Sequence, residues 1–116
     1  MSFEIITSDY FDAEAKVLAK RYKSFKKDLI EFRKELEKEP LQGTEIAPNI
    51  RKIRMAIASK GRGKSGGARL ITYNALVTEQ EGKVYLLLIY DKADASSVKM
   101  NVVKQIVKEQ IGRAHV

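Results

Sequence analysis

The residues best able to do chemistry in this chain are cations gathered in its middle. Residues 51–74 contain seven lysines and arginines and no acidic residue, while the 116-residue chain has a net charge of +7. Like charges this close in sequence repel one another, so the cluster indicates a polyanionic partner. Nucleic acid is the first such partner to expect, and an acidic protein segment is the second.

Two of these cations, Lys52 and Arg54, lie two positions apart in 50–59, where alternating apolar residues predict a β-strand. Side chains two apart in a strand project from the same face of the sheet. Arg69 begins the next predicted strand, and pairing of the two strands puts Arg69 and Tyr73 on that face too. Such a surface suits single-stranded RNA, because cations hold phosphates and an aromatic ring stacks on a base.

Cleavage of RNA by its own 2′-hydroxyl requires a proton acceptor, a proton donor and positive charge at the phosphate oxygens. The chain has no cysteine, and its one histidine, His115, is next to last, so lysine, tyrosine or a carboxylate must move the protons. Neighbouring cations disfavour the charged form of a lysine, which makes Lys52 a candidate base. Arg69 suits charge stabilisation, since guanidinium matches phosphate oxygens bidentately. Lys92, after a later strand, is a further candidate phosphate ligand.

A glycine-rich segment at 60–67 joins the two strands and carries three more cations, Lys60, Arg62 and Lys64. Four glycines in eight residues exclude the interior of a strand or helix, so we expect a loop whose N–H groups can approach a phosphate. Residues 63–65 are similar to the end of a P-loop, but that motif requires a glycine where Ala58 stands. The pattern favours phosphate contacts by these three cations over binding of a nucleoside triphosphate.

Several classes of protein are excluded by composition. Without cysteine and with a single histidine, neither disulfides nor a zinc site is expected, and no cofactor is implied. No apolar stretch approaches the roughly 18 residues of a membrane span, and the N-terminus lacks the pattern of a signal peptide. We therefore expect a cytoplasmic protein with no membrane partner.

The hydrophobic patterns predict a single α+β domain over residues 1–116. The predicted order is strand, helix, helix, strand, strand, strand and helix, at 3–7, 12–22, 25–39, 50–59, 68–79, 83–90 and a last stretch ending near 111, with a loop at 41–49. Asp9 or Asp12 is the expected cap of the first helix. Because helices and strands come in runs, we expect the helices on one face of a mainly antiparallel sheet. The apolar run at 84–89 predicts a strand inside that sheet.

Two stretches resemble the RelE/ParE toxin superfamily, and its HigB-like members in particular. The first is KGRGKSGGARLITY at 60–73, in which the run Gly-Lys-Ser-Gly-Gly-x-Arg carries most of the likeness, and the second is VYLLLIYDK at 84–92. The resemblance implies a RelE-like α+β fold. In that fold two N-terminal helices and a C-terminal helix surround a twisted, mainly antiparallel sheet of about four strands.

The resemblance also implies a function, that of the toxin in a type II toxin–antitoxin pair. Such toxins enter the ribosomal A site and cut mRNA without a metal ion, and a cognate antitoxin, often a helix-turn-helix protein, silences them. By matching position, the implied catalytic residues are Lys52, Arg54, Arg69 and Lys92. The family commonly has a further C-terminal tyrosine or histidine near the site. This chain offers no clear match, so the resemblance does not identify the acid and the base.

Two other functions stay open from the sequence. A ParE-like gyrase inhibitor shares the implied fold without the nuclease, and the basic strands and glycine-rich segment argue against it. A non-enzymatic module that binds RNA or the ribosome is the other alternative, and the lack of a clear acid–base pair favours it.

Overall fold

A computed structural model describes residues 2–111 of the chain and shows an α+β protein. Within those residues lie four helices, Asp9–Arg21 (α1), Phe25–Lys38 (α2), Gly63–Gly66 (α3) and Met100–Ile111 (α4). The same range contains five strands, Ser2–Thr7 (β1), Thr44–Ala47 (β2), Ile50–Met55 (β3), Ala68–Leu76 (β4) and Glu81–Asp91 (β5). The predicted α+β class is confirmed. His115, expected to play no part, lies outside the described residues.

The five strands of the described range form one mixed sheet in the order β1-β5-β4-β3-β2. β1 runs parallel to β5, and the other neighbouring strands are antiparallel. The sheet exceeds the predicted four strands because β2 lies in the segment 41–49, which was expected to be a loop. Three residues of β2 are exposed and one is half-buried, so it lacks the buried alternate positions that mark a strand in a sequence.

The interior strand β5 requires cover on both faces. Its predicted place inside the sheet is confirmed, since β1 and β4 flank it. Helices α1 and α2 cover one face through five buried side chains, Phe11, Leu18, Phe25, Phe32 and Leu36. Helix α4 belongs to a separate core cluster on the other face, together with strand side chains Ile50, Ile71, Tyr85, Leu87 and Tyr90. The expectation of helices on one face is wrong, because the run at 84–89 is apolar at both odd and even positions.

Helix α1 begins at a serine cap rather than at either predicted aspartate. Ser8 Oγ accepts a hydrogen bond from the Phe11 N–H at 3.0 Å and donates one to the Leu87 carbonyl oxygen at 2.6 Å. Asp9 and Asp12 lie in the first turn, where negative charge stabilises a helix N-terminus. The cap therefore also ties α1 to β5.

The glycine-rich segment is more regular than the loop predicted for it. Gly63–Gly66 forms the single turn of α3 within the predicted loop. A 3-10 turn at Ala58–Lys60 replaces the end of the strand predicted over 50–59, since β3 ends at Met55. Gly61 has a positive φ of 69°, a conformation that other residues rarely adopt. Gly67 approaches β3 so closely that a Cβ atom would lie 2.1 Å from the Met55 carbonyl oxygen. These glycines let the segment fold back over the junction of β3 and β4.

Candidate anion-binding site

A cavity of about 680 Å³ opens beside the end of β3 and the beginning of β4. Of the residues that the structure describes, five cationic side chains line it, Lys52, Arg54, Lys64, Arg69 and Lys92. The rest of its lining is uncharged and consists of Gln42, Gly43, Thr44, Ile46, Ile53 and Ser96. Charges of one sign in a concave site focus their field, so this cation cavity suits an anion with several charged oxygens.

The register of β3 and β4 brings three of these cations together. Arg54 lies directly opposite Arg69, and Lys52 lies opposite Ile71. Alternate positions share a face, so Lys52, Arg54 and Arg69 project from the face that α4 covers. The spacing in the sequence predicted this placement, and the role of the three as phosphate ligands stays a prediction.

Arg69 is the most buried cation of the cavity, with 6% of its surface exposed. Its guanidinium donates to the backbone carbonyl oxygens of Lys64 at 3.2 Å, Ser65 at 3.0 Å and Ala68 at 3.3 Å. These bonds tie α3 to β4 and leave part of the five-donor guanidinium for a ligand. Within residues 2–111 no carboxylate forms an ion pair with Arg69. An anion in the cavity would supply the missing counter-charge.

The other cavity cations are held more loosely. Lys52 Nζ donates to the Ser96 carbonyl oxygen at 3.1 Å. Lys92 is fixed through its backbone N–H, which donates to the Gly67 carbonyl oxygen at 3.0 Å, and Arg54 is exposed. The bond to Ser96 leaves the other donors of the Lys52 side chain for a phosphate. The predicted role of Lys52 as the base stays a prediction.

Lys60 lies outside the cation cavity, although its place in the sequence predicted a phosphate contact. Its Nζ is 2.6 Å from Asp91 Oδ1 and 5.3 Å from the centre of the Tyr22 ring, and 9% of its side chain is exposed. Asp91 is paired in register with Ala68, whose side chain belongs to the core under α1 and α2. Lys60 therefore reaches the face opposite to the cavity, where it forms a buried ion pair.

The Asp91 carboxylate joins the end of α1, the 3-10 turn and the turn after β5. Besides Lys60, it accepts hydrogen bonds from Arg21 Nη1 at 3.0 Å, from the Tyr22 hydroxyl and from the Ala93 N–H at 2.9 Å. Burial acts to raise the pKa of Asp91, but the hydrogen bonds from Lys60, Tyr22, Ala93 and Arg21 outweigh burial and hold that pKa well below its usual range. Asp91 is thus ionised at neutral pH, on the far side of the sheet from the cation cavity.

Arg62 and Tyr73, the remaining predicted RNA contacts, also lie outside the cation cavity. Arg62 is exposed, and its side chain lies close against Gly66. Tyr73 shares the face of Arg69 but packs edge-on against Tyr85, with 6.4 Å between ring centres, and lines a separate cavity of about 560 Å³. Four residues of strand separate Tyr73 from Arg69 by about 13 Å. Tyr73 therefore shares the face but not the cation cavity, and its role as an RNA contact stays a prediction.

Sequence reasoning missed two features beside the cation cavity. Tyr90 lies opposite Arg69 on β5, and its buried hydroxyl has no hydrogen-bond partner in the described range. Its place in an apolar strand made it indistinguishable from core. Helix α2 contributes Glu31 and Glu35 to an adjoining cavity of about 120 Å³. Glu31 and Glu35 lie on the polar side of α2, and charged residues with this spacing occur on most solvent-exposed helix faces. The sequence pattern therefore did not mark them as functional.

A scan of the chain against models of known protein families finds no match. No helix within residues 2–111 combines the length and apolar character needed to cross a membrane. In the same range, no three histidine, cysteine, aspartate or glutamate side chains are grouped so as to hold a metal ion. A function must therefore be inferred from the cation cavity itself.

Proposed function

We propose that this protein is the toxin of a type II toxin–antitoxin pair, HigB-like within the RelE/ParE superfamily, and that it cuts mRNA on the ribosome. The observation that supports the proposal is the cation cavity, where five cations converge and no acidic side chain of the described residues joins the lining. Four of them are the residues for which the resemblance implies catalysis, Lys52, Arg54, Arg69 and Lys92. RNA offers the anion of matching chemistry, a chain of phosphodiesters.

Arg69 is suited to the phosphate at which the chain is cut. A guanidinium keeps its charge and presents its donors in a fixed fork that matches phosphate oxygens. The carbonyl oxygens of α3 and Ala68 already hold the group in place, so it need not reorganise as negative charge develops on the phosphate. Removal of one preorganised donor of this kind typically lowers a rate by about 10²–10³.

The ribosome would supply what the cation cavity lacks. No histidine or carboxylate of the described residues lines that cavity, so much of the rate must come from the positioning of the substrate. Holding the attacking and leaving groups in line contributes as much as about 7–11 kcal/mol to catalysis. The ribosome holds mRNA in a defined path, and the exposed cations would dock on ribosomal RNA, with an affinity that falls as salt rises.

The proposal implies a cytoplasmic protein with a cognate antitoxin, expected to be a helix-turn-helix protein. To silence the toxin, the antitoxin must keep RNA out of the cation cavity. An acidic segment is the chemistry that would do so, because it supplies the counter-charge that Arg69 and its neighbours lack.

A second candidate function is a non-enzymatic module that binds RNA or the ribosome. The observation that favours it is the lining of the cation cavity, in which no histidine or carboxylate of the described residues is present to accept a proton. Tight RNA binding without cleavage on translating ribosomes would select this function over the endonuclease.

Induction of the protein in growing cells, with translation and mRNA ends followed together, tests the proposal. We expect translation to arrest and new mRNA 5′ ends to appear. The doubly substituted variant Lys52→Gln/Arg54→Gln removes two cavity cations and should abolish both effects. Lys26→Gln/Lys27→Gln removes the same charge from the exposed side of α2 and should retain both. Intact mRNA during arrest would contradict the proposal, and DNA breaks with normal translation would indicate a gyrase inhibitor.

A further inference from the structure

A second, smaller cavity of about 120 Å³ adjoins the cation cavity and has one acidic wall. Three residues, Gln42, Arg54 and Lys64, line both cavities. The opposite wall is α2, which contributes three carboxylates, Asp28, Glu31 and Glu35. Their spacings of three and four residues place them on one side of the helix. Two cations of the proposed RNA site therefore share a narrow space with carboxylates.

The three carboxylates differ in what they already bind. Asp28 Oδ2 accepts hydrogen bonds from Ser24 Oγ at 2.7 Å and from the Ala58 N–H at 3.0 Å, so it fixes the start of α2 against the 3-10 turn. Glu31 and Glu35 are exposed. Neither forms an ion pair or a side-chain hydrogen bond within residues 2–111.

The small cavity lies between these carboxylates and two of the cations, which do not form ion pairs with them. Arg54 and Lys64 line the small cavity with Glu31 and Glu35, yet no pair of their charged atoms approaches within 4.0 Å. In a ribonucleotide the 2′-hydroxyl adjoins the 3′-phosphate. A phosphate held by the cations would therefore present its neighbouring hydroxyl toward a nearby acceptor.

From this arrangement we infer that the Glu31–Glu35 pair supplies the general base for RNA cleavage, an inference that rests on the proposed function. One carboxylate takes the proton of the 2′-hydroxyl as the 2′ oxygen forms its bond to phosphorus. The bond from phosphorus to the 5′ oxygen of the next nucleotide breaks, and that oxygen takes a proton from water. The products are a 2′,3′-cyclic phosphate and a 5′-hydroxyl, and the glutamic acid returns its proton to water.

Removal of these carboxylates should separate chemistry from binding. A base within reach of the 2′-hydroxyl contributes about 10²–10⁴ to the rate, whereas a carboxylate beside a bound phosphate repels it. The variant Glu31→Gln/Glu35→Gln keeps the size of both side chains and removes both charges. It should therefore cut far more slowly and bind RNA as tightly as the parent protein, or more tightly.

The experiment measures both properties on ribosomes programmed with a defined mRNA. Cleavage is followed by mapping of the cut ends, and binding is measured with the same mRNA carrying 2′-O-methyl groups, which cannot attack phosphorus. Glu37→Gln, on α2 but absent from the lining of both cavities, is the matched control. We expect cleavage by the double variant to fall at least about 100-fold, with binding and thermal unfolding like those of Glu37→Gln. The two single variants then identify which glutamate carries most of the effect.

Three results would overturn the inference. First, Glu31→Gln/Glu35→Gln could cut mRNA as fast as the parent protein while Lys52→Gln/Arg54→Gln fails to cut. This result would refute the role of the carboxylates and leave the proposed function intact. Loss of methylated-RNA binding or of folding in the double variant would show that Glu31 and Glu35 are structural. If the parent protein cuts no mRNA on ribosomes, the proposed function fails, and the inference fails with it.

Discussion

Replacement of Asp91 by asparagine should lower the free energy of unfolding by about 3–5 kcal/mol, the range measured when one partner of a buried ion pair is removed. Asparagine keeps the shape of the side chain, but Lys60, whose side chain is 9% exposed, loses its counter-ion. Small domains are stable by about 5–15 kcal/mol, so the loss is a large fraction of the total. At roughly 4 °C per kcal/mol it lowers the melting temperature by roughly 12–20 °C.

Urea unfolding of the parent, Asp91→Asn, Lys60→Met and the double variant measures this contribution. Lys60→Met leaves Asp91 with its hydrogen bonds from Arg21 and Tyr22, so we expect the double variant to lose less than the sum of the single losses. Coupling of contacting residues is typically about 0.5–3 kcal/mol. Asp94→Asn is the control, because this half-exposed partner of Arg21 should contribute no more than about 1 kcal/mol. A loss below about 1 kcal/mol for Asp91→Asn at pH 7, or strict additivity, would refute the reasoning.

The same carboxylate predicts how stability varies with pH. The pKa of Asp91 is lower in the folded protein than in the unfolded chain, where it is about 3.9. Its contribution is therefore fully present above the unfolded value and is lost as the pH falls toward the folded one. We expect the urea midpoint of the parent to decline below about pH 5 more steeply than that of Asp91→Asn. Parallel curves between pH 3 and 7 would show that Asp91 does not account for the decline.

Three further predictions concern the cation cavity and the glycine-rich segment. Arg69→Lys keeps the charge but loses the fork, so cleavage of mRNA on ribosomes should fall by about 10²–10³, and an unchanged rate would contradict the role of Arg69. Lys52→Gln should lower the slope of log Kd against log salt for single-stranded RNA by about 0.7 if Lys52 binds one phosphate, and leave it unaltered otherwise. Gly67→Ala should destabilise by about 1–3 kcal/mol or more in urea unfolding, because its Cβ would lie 2.1 Å from the Met55 carbonyl oxygen. Gly61 has open space around it but a φ of 69°, so Gly61→Ala should lower the free energy of unfolding by about 1–2 kcal/mol. If Gly67→Ala lowers that free energy less than Gly61→Ala does, the close packing of Gly67 against β3 is contradicted.

The sequence predicted that Lys52, Arg54 and Arg69 share one face of the sheet, because strand periodicity alone decides that placement. Lys52 and Arg54 share a face because the period of a strand is two, and antiparallel pairing of β3 with β4 puts Arg69 opposite Arg54. Lys60 shows where such reasoning ends. Its partner Asp91 lies 31 residues away in the chain, at the end of β5, and the two meet only because β3, β4 and β5 are neighbours in the folded sheet. Local spacing carries no information about a contact of that kind.

The misassigned elements fail for related reasons. β2 is an edge strand with no buried residue, so it gives no hydrophobic signal. Helix α4 covers the second face because β5 is apolar at both odd and even positions, and the order of elements does not reveal which face a helix covers. The acidic wall of α2 was hidden because Glu31 and Glu35 look, in sequence, like any charged residues of a solvated helix.

The charge of the cavity depends on an irregularity in β5. Thr72 of β4 pairs with Leu86 and Ile71 pairs with Leu88, so Leu87 is an extra residue that forms a bulge. Beyond the bulge the alternation of faces is reversed, which turns Tyr90 toward α4 and Asp91 toward α1. If the same residues continued in regular alternation, with Leu87 paired to Ile71, Asp91 would lie on the face of the cavity, where its negative charge would oppose that of the cations. The carbonyl of Leu87 accepts its hydrogen bond from Ser8 Oγ, so the cap of α1 also stabilises the bulge that keeps the acid away from the cations.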